Sequence, residues 1–301
     1  MRSEALALLC SLTGACQGEN LILGDGRAAD SGTNSAAPQR DFQPPRVIAE
    51  LESEDVSDDD PSLTADLLVL CFNSKRDGGM GEEDIWCSRR ARSDEAWGAP
   101  VAQVALNTER RETGIALSLD GLSMWFSSDR GAGSGGLDVY TTIRPSRDAA
   151  WSEVARVTEL STPDDDLVSS VDETGLRLML ARRTRSDDDD DDAGDYDILL
   201  SQRTTHSDPW RAPSAVSELN SDESESDAFL IGPGLDLVFS RKDDLLWAHR
   251  SQTNAPFDHV SALNVLNSEK RERDAWSNSA FTYIVFSSDR AGSFRLYEAE
   301  R

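Results

Sequence analysis

The sequence predicts an all-β protein: a five-bladed β-propeller with four antiparallel strands per blade and a ring closed by an N-terminal strand. Three observations carry that expectation. An apolar strand recurs five times in the 301 residues, ending at Phe72, Phe126, Leu180, Phe239 and Phe286. The spacings of 54, 54, 59 and 47 residues suit one small supersecondary unit each. No segment carries a helical period, and helix formers are interrupted by Gly, Pro and Ser, so each unit must be built from strands.

The positions four before, two before and at each anchor read Leu68/Leu70/Phe72, Leu122/Met124/Phe126, Leu176/Leu178/Leu180, Leu235/Leu237/Phe239 and Thr282/Ile284/Phe286. This period of two marks a buried strand face. The residues between, Cys71, Trp125, Met179, Val238 and Val285, are apolar as well, as expected of a sheet sandwiched between two others. Ser118 to Arg144 shows the hairpin most clearly: an Asp-Gly turn, the strand to Phe126, an FSSDR exit, a Gly-rich loop and a second strand around Asp138-Val139-Tyr140.

A further strand is expected to begin at an aromatic residue, Trp97, Trp151, Trp210 or Phe257. Nine residues beyond stands Leu106, Leu160, Leu219 or Leu266, followed by Asn or Ser as a turn residue. An acid stands fourteen places before every anchor, and the gap between them leaves room for an innermost strand. The propeller then occupies 42–301, with blades at 54–107, 108–161, 162–220, 221–267 and 268–301 plus 42–51. The last assignment follows because the fifth unit stops short of its aromatic-led strand, whereas Phe42 and Leu51 show the missing nine-residue interval. Pro44 and Pro45 suit an outermost strand, which can spare N–H donors.

Residues 1–16 read as an export signal. Arg2 precedes an apolar run, Ala5 to Leu12, that is too short to span a bilayer. Thr13-Gly14-Ala15-Cys16 resembles a bacterial lipobox, which makes Cys16 the expected lipidation site. Such an anchor tethers a chain without spanning the membrane. Residues 17–41 have the composition of a flexible linker. Cys71 and Cys87 fall on neighbouring strands and are expected as two buried free thiols, because bridges between adjacent strands are often strained. A cross-strand disulfide is the alternative in an exported chain.

The chain has 30 basic and 56 acidic residues, a formal net charge of −26. Such a polyanion is repelled by nucleic acid and anionic headgroups, which argues against both as partners beyond a lipid anchor. Basic protein surfaces, cations and neutral glycans fit. A monomer is compatible with everything read here.

The succession of acid, S-x-D-G, apolar strand, FSSDR, Gly-rich loop, Asp-hydrophobic-Tyr/Trp and Trp-x-x-Pro resembles the WD-repeat-like propeller repeat of TolB-type proteins. Ser118 to Tyr140 matches best; Asp84-Ile85-Trp86 with Trp97 and Pro100, and Trp210 with Pro213, match well. The resemblance covers 42–301 and implies a bacterial periplasmic or surface propeller that works by binding, without a cofactor. TolB proteins proper carry six blades and an added N-terminal domain, neither visible here.

Candidate sites are few. The rim carboxylates Asp58, Glu112, Asp166, Glu225 and Glu272 recur once per unit, so they are expected to brace the repeat, with a ligand-facing role as the alternative. Asp187, Asp188, Asp189, Asp190, Asp191 and Asp192 form a possible Ca²⁺ loop, though a solid aspartate run repels itself and reads more naturally as solvated. His206, His249 and His259 do not cluster in sequence. No nucleophile motif, metal-ligand spacing or phosphate loop is present. The function expected is a binding or scaffold module for a protein or cell-envelope ligand. The alternative is a glycan-acting hydrolase using funnel carboxylates.

Overall fold

The computed structural model describes residues 42–53, 56–131, 133–183 and 195–301. Strand β1 (Arg46–Val47) precedes the first blade, which holds β2 (Asp58–Leu63), β3 (Val69–Ser74), β4 (Asp84–Arg89) and β5 (Val101–Ala102). The second blade holds β6 (Glu112–Leu117), β7 (Ser123–Ser128), β8 (Asp138–Ile143) and β9 (Ala155–Arg156). The third holds β10 (Asp165–Val171), β11 (Arg177–Arg183), β12 (Asp197–Gln202) and β13 (Ser214–Ala215). The fourth holds β14 (Glu225–Ile231), β15 (Asp236–Arg241), β16 (Asp244–His249) and β17 (His259–Ala262). The fifth holds β18 (Glu272–Ser277), β19 (Tyr283–Ser288) and β20 (Arg295–Glu300). Successive innermost strands β2, β6, β10, β14 and β18 are neighbours, and β18 returns to β2. This is the expected five-bladed ring.

Strand β1 closes it by adding antiparallel to β20, with Arg46 opposite Glu298 and Val47 opposite Tyr297. Backbone bonds from Gln43 N to Glu300 O (2.7 Å) and Ile48 N to Leu296 O (2.9 Å) extend the pairing. Two chain-distant segments thereby share one sheet and leave no unfinished inner edge.

The five anchors are fully buried because each lies between two blades. Cys71, Ile115, Met124 and Phe126 share the core between blades one and two. Trp125, Val168, Leu180 and Trp210 share the next, and Met179, Leu230, Phe239 and Phe257 the one after. The first hairpin of a blade turns through a left-handed residue, as at Gly121 (φ 74°). There Gly121 N donates to Ser118 O (2.7 Å), while Ser118 Oγ accepts from Ser123 N (2.8 Å). Glycine at the left-handed position avoids the Cβ clash.

Two expectations are corrected. The aromatic residues do not open the outer strands: Trp97 lies ahead of β5, and β5, β9 and β13 are two residues long. The reason is a stack. Arg90 lies over Trp97 at 4.1 Å, Arg144 over Trp151 at 4.1 Å, Arg203 over Trp210 at 4.4 Å and Arg250 over Phe257 at 4.5 Å. The guanidinium covers the ring in the approach to the strand, so the ring needs no sheet neighbour. In the fifth blade Arg301 covers Phe42 at 5.3 Å, using residues from opposite ends of the propeller.

Cys71 and Cys87 form a disulfide rather than two thiols. They are register partners on β3 and β4 with Cα atoms 4.0 Å apart, so both sulfurs fall on one face of the sheet. Reduction is expected to lower stability by about 2–3 kcal/mol for a loop of this length, read as a drop in the urea midpoint with dithiothreitol. An equal drop in a Cys71→Ala/Cys87→Ala chain would show that the reductant acts elsewhere.

Candidate functional site

The five rim acids each begin, or nearly begin, an innermost strand, and each is enclosed by its own blade. Glu112, with no exposed surface, accepts from Thr108 N (2.8 Å), Thr108 Oγ1 (2.7 Å), Ser128 Oγ (2.9 Å) and Arg130 Nη2 (3.0 Å). Glu272 repeats this with Ser268 N (2.8 Å), Ser288 Oγ (2.7 Å) and Arg290 Nη2 (3.0 Å). Asp166 pairs with Arg182 Nε (2.6 Å), Glu225 with Arg241 Nε (2.7 Å) and Asp58 with Arg76 Nη2 (2.6 Å). The arginines also donate to the leucine carbonyl that ends the previous unit: Arg76 to Leu51 (2.9 Å), Arg130 to Leu106 (2.7 Å) and Arg241 to Leu219 (2.7 Å). Burial raises the pKa of Asp58, Glu112 and Asp166 despite these partners.

Two residues further along, the innermost strands converge on the axis. Each carries a bulge there, between Asp59 and Ser62, Thr113 and Ala116, Val168 and Ser170, Ser226 and Phe229, and Arg273 and Trp276. A bulge re-aims a side chain. Asp60 (φ 53°), Asp227 (φ 55°) and Asp274 (φ 56°) occupy the left-handed position in three blades, and Gly114 (φ 59°) takes it in the second. Asp is among the few non-glycine residues that tolerate this conformation.

The bulges bring three carboxylates together, with one oxygen of each lying within 4.8 Å of the others. Oδ2 of Asp60 accepts from Thr113 Oγ1 (2.7 Å) and Gly114 N (2.7 Å) on the next blade. Oδ2 of Asp227 accepts from Ser226 Oγ (2.7 Å), and Oδ2 of Asp274 accepts from Ser287 Oγ. Arg273 is the cation at this level, donating to Asp59 Oδ1 (3.1 Å) with Nε 3.3 Å from Asp274. Burial pushes Asp59 up to about 7 against the pull of Arg273. Burial and then the Asp274 charge push Asp227 up to about 7. Asp60 is driven well above its ordinary value by burial, Asp274 and Asp227. The residues line an open cavity of about 660 Å³ together with Glu83, Arg111, Lys242 and Arg271.

No protein-family model matches the sequence, and no curated protein matches it. Solved structures match the fold. TolB from Acinetobacter baumannii is 14% identical over 84% of this chain and 56% of its own, with a TM-score of 0.49. The putative TolB from Agrobacterium tumefaciens is 12% identical over 84% of this chain and 79% of its own, at 0.49. Kuenenia stuttgartiensis hydrazine synthase is 12% identical over 80% of this chain and 37% of its own, at 0.50. In fold, the chain is a five-bladed β-propeller. It spans little more than half of the Acinetobacter TolB, 56%.

The axial triad of this propeller escaped the reading of the sequence. Its signal was present as acid-x-Asp in Asp58-Asp59-Asp60, Glu225-Ser226-Asp227 and Glu272-Arg273-Asp274, against Glu112-Thr113-Gly114 and Asp166-Leu167-Val168. The histidines need a correction too. His249 and His259 are register partners that both pack on Trp247, at 5.7 and 5.4 Å, and His249 Nδ1 lies 3.1 Å from Asp236 Oδ1. Antiparallel pairing joins positions ten residues apart. The aspartate run Asp187–Asp192 and Cys16 lie outside the described residues. Among the described residues, no helix is long and apolar enough to cross a membrane.

Proposed function

We propose that this chain is an exported, lipid-anchored propeller acting as a binding or scaffold module for a protein or other cell-envelope ligand. The observation that carries the reading is the fate of the repeated acids. All five accept a hydrogen bond from an arginine of their own blade, which suits braces. Export is supported by the Cys71–Cys87 bridge, since disulfides persist in oxidising compartments. A net charge of −26 favours a basic partner, steered by long-range attraction.

The hydrolase alternative draws on the converging axial carboxylates, since glycosidases use a pair of carboxyls a few ångströms apart. Here each of the three carboxyls is already engaged by a neighbouring hydroxyl or amide, which suits a fixed constellation better than a free acid and base.

Two measurements test the proposal. Cys16→Ala should leave the membrane fraction while remaining folded, and an unprocessed Met1 in the mass spectrum would remove the anchor. The soluble variant, used as bait on the native envelope fraction, should retain a component released by salt. Turnover of an envelope glycan that disappears in Asp227→Asn would replace binding with hydrolysis.

A further inference from the structure

We propose that Asp60, Asp227 and Asp274, with the hydroxyl of Ser240, form a calcium site on the propeller axis. The proposal is separate from the binding role, and none of its ligands belongs to the Asp187–Asp192 run. Three strands from three blades deliver the carboxylates, and Oδ2 of each takes the hydrogen bonds described above. Those bonds fix the carboxylate planes.

An independent sign of a missing ligand is Ser240, on β15 immediately after the Phe239 anchor. It is 4% exposed, borders the same cavity and approaches the Asp227 carboxyl, yet its Oγ meets no described residue within hydrogen-bond distance and angle. Where the equivalent residue of another blade is polar, it is satisfied; in the third blade it is Ala181. Ser127 Oγ bonds Asp166 O (2.8 Å), Ser287 Oγ bonds Asp274, and Asn73 bonds Thr113 Oγ1 (3.2 Å). A buried hydroxyl without a partner is costly, so a group that accepts its lone pair is expected there.

The charge balance points the same way. Asp59, Asp60, Asp227 and Asp274 face one guanidinium, that of Arg273. Of the other cations that line the cavity, Lys242 pairs with Glu223 (3.0 Å), Arg271 with Asp289 (2.9 Å) and Arg183 with Asp165 (2.5 Å), which leaves Arg111 beside Arg273 to offset the four carboxylates. Carboxylates within 4.8 Å of one another repel strongly even in a well-screened environment. A divalent ion relieves it at neutral pH without protonation. Every donor is oxygen, which selects a hard cation. Ca²⁺ accepts six to eight oxygens in flexible geometry, so three carboxylates, a hydroxyl and water from the open side suffice. Mg²⁺ demands a tighter octahedron.

The test is calorimetric titration of CaCl₂ into the full chain after chelation, paired with thermal unfolding. One saturable ion per chain is expected, with the midpoint rising by about 5 °C or more at a hundredfold excess over Kd. Asp227→Asn and Asp274→Asn should each weaken binding at least tenfold, and Ser240→Ala by less. Both Asn variants should fold, because they remove repulsion. A chain with Asp187–Asp192 changed to Asn should keep the ion. Absence of saturable binding at millimolar calcium would overturn the proposal, as would binding that survives Asp227→Asn or vanishes with the aspartate run.

Discussion

Deleting residues 42–51 is expected to abolish the single cooperative unfolding transition and leave an aggregating chain. The segment buries Phe42 (4% exposed), Ile48 (2%) and Leu51 (1%). At about 1.5–3 kcal/mol for each such side chain, the loss is roughly 5–9 kcal/mol, comparable with the whole stability of many domains. The deletion also uncovers β20 as an open sheet edge, removes the ring that Arg301 covers, and takes away the Leu51 carbonyl that holds Arg76 beside Asp58. Removing 17–40 instead should leave unfolding unchanged. Calorimetry of the two deletions decides the matter: an intact two-state transition without 42–51 would mean that the ring does not need its N-terminal strand.

That closure was legible because it rests on an interval, nine residues from aromatic to leucine, that survives the jump from one end of the chain to the other. Anchors such as Phe126 were legible for the same reason: a strand buried on both faces leaves a dense apolar signature. What failed to show were features set by register and by geometry at the axis. Cys71 and Cys87 could be placed on neighbouring strands, but only the pairing puts them directly opposite. The seven-residue step from Arg90 to Trp97 or Arg144 to Trp151 was present in every complete unit, yet a stack outside the strands leaves no periodicity to detect. Asp60, Asp227 and Asp274 were hidden by their rim neighbours. An acid two residues after an acid reads as one solvated cluster until a bulge turns the second toward the axis.

Replacing Glu112 by Ala is expected to cost about 3–5 kcal/mol, the penalty for leaving a buried ion pair half-made. Four donors lose their acceptor, and Arg130 keeps only Leu106 O, its own Ser128 and its packing over Phe126 and Tyr140. Glu112→Gln should be far milder, about 1 kcal/mol, because the shape and one acceptor survive. The direction of the pKa shift sharpens this. Burial raises Glu112 above the usual 4.5, so it outweighs the pull of Thr108, Arg130 and Ser128. The native state therefore holds this proton more tightly than the unfolded chain does. The contribution of the group grows as pH falls through the folded pKa toward the ordinary value, and is lost as pH rises through that window. Glu112 consequently does not drive acid unfolding, and the gap between wild type and Glu112→Gln should widen from pH 7 to pH 4.5. Urea midpoints at the two pH values measure it. A gap that narrows toward acid would mean that pairing outweighs burial. Loss of the calcium response in Glu112→Gln would move this acid from brace to ligand.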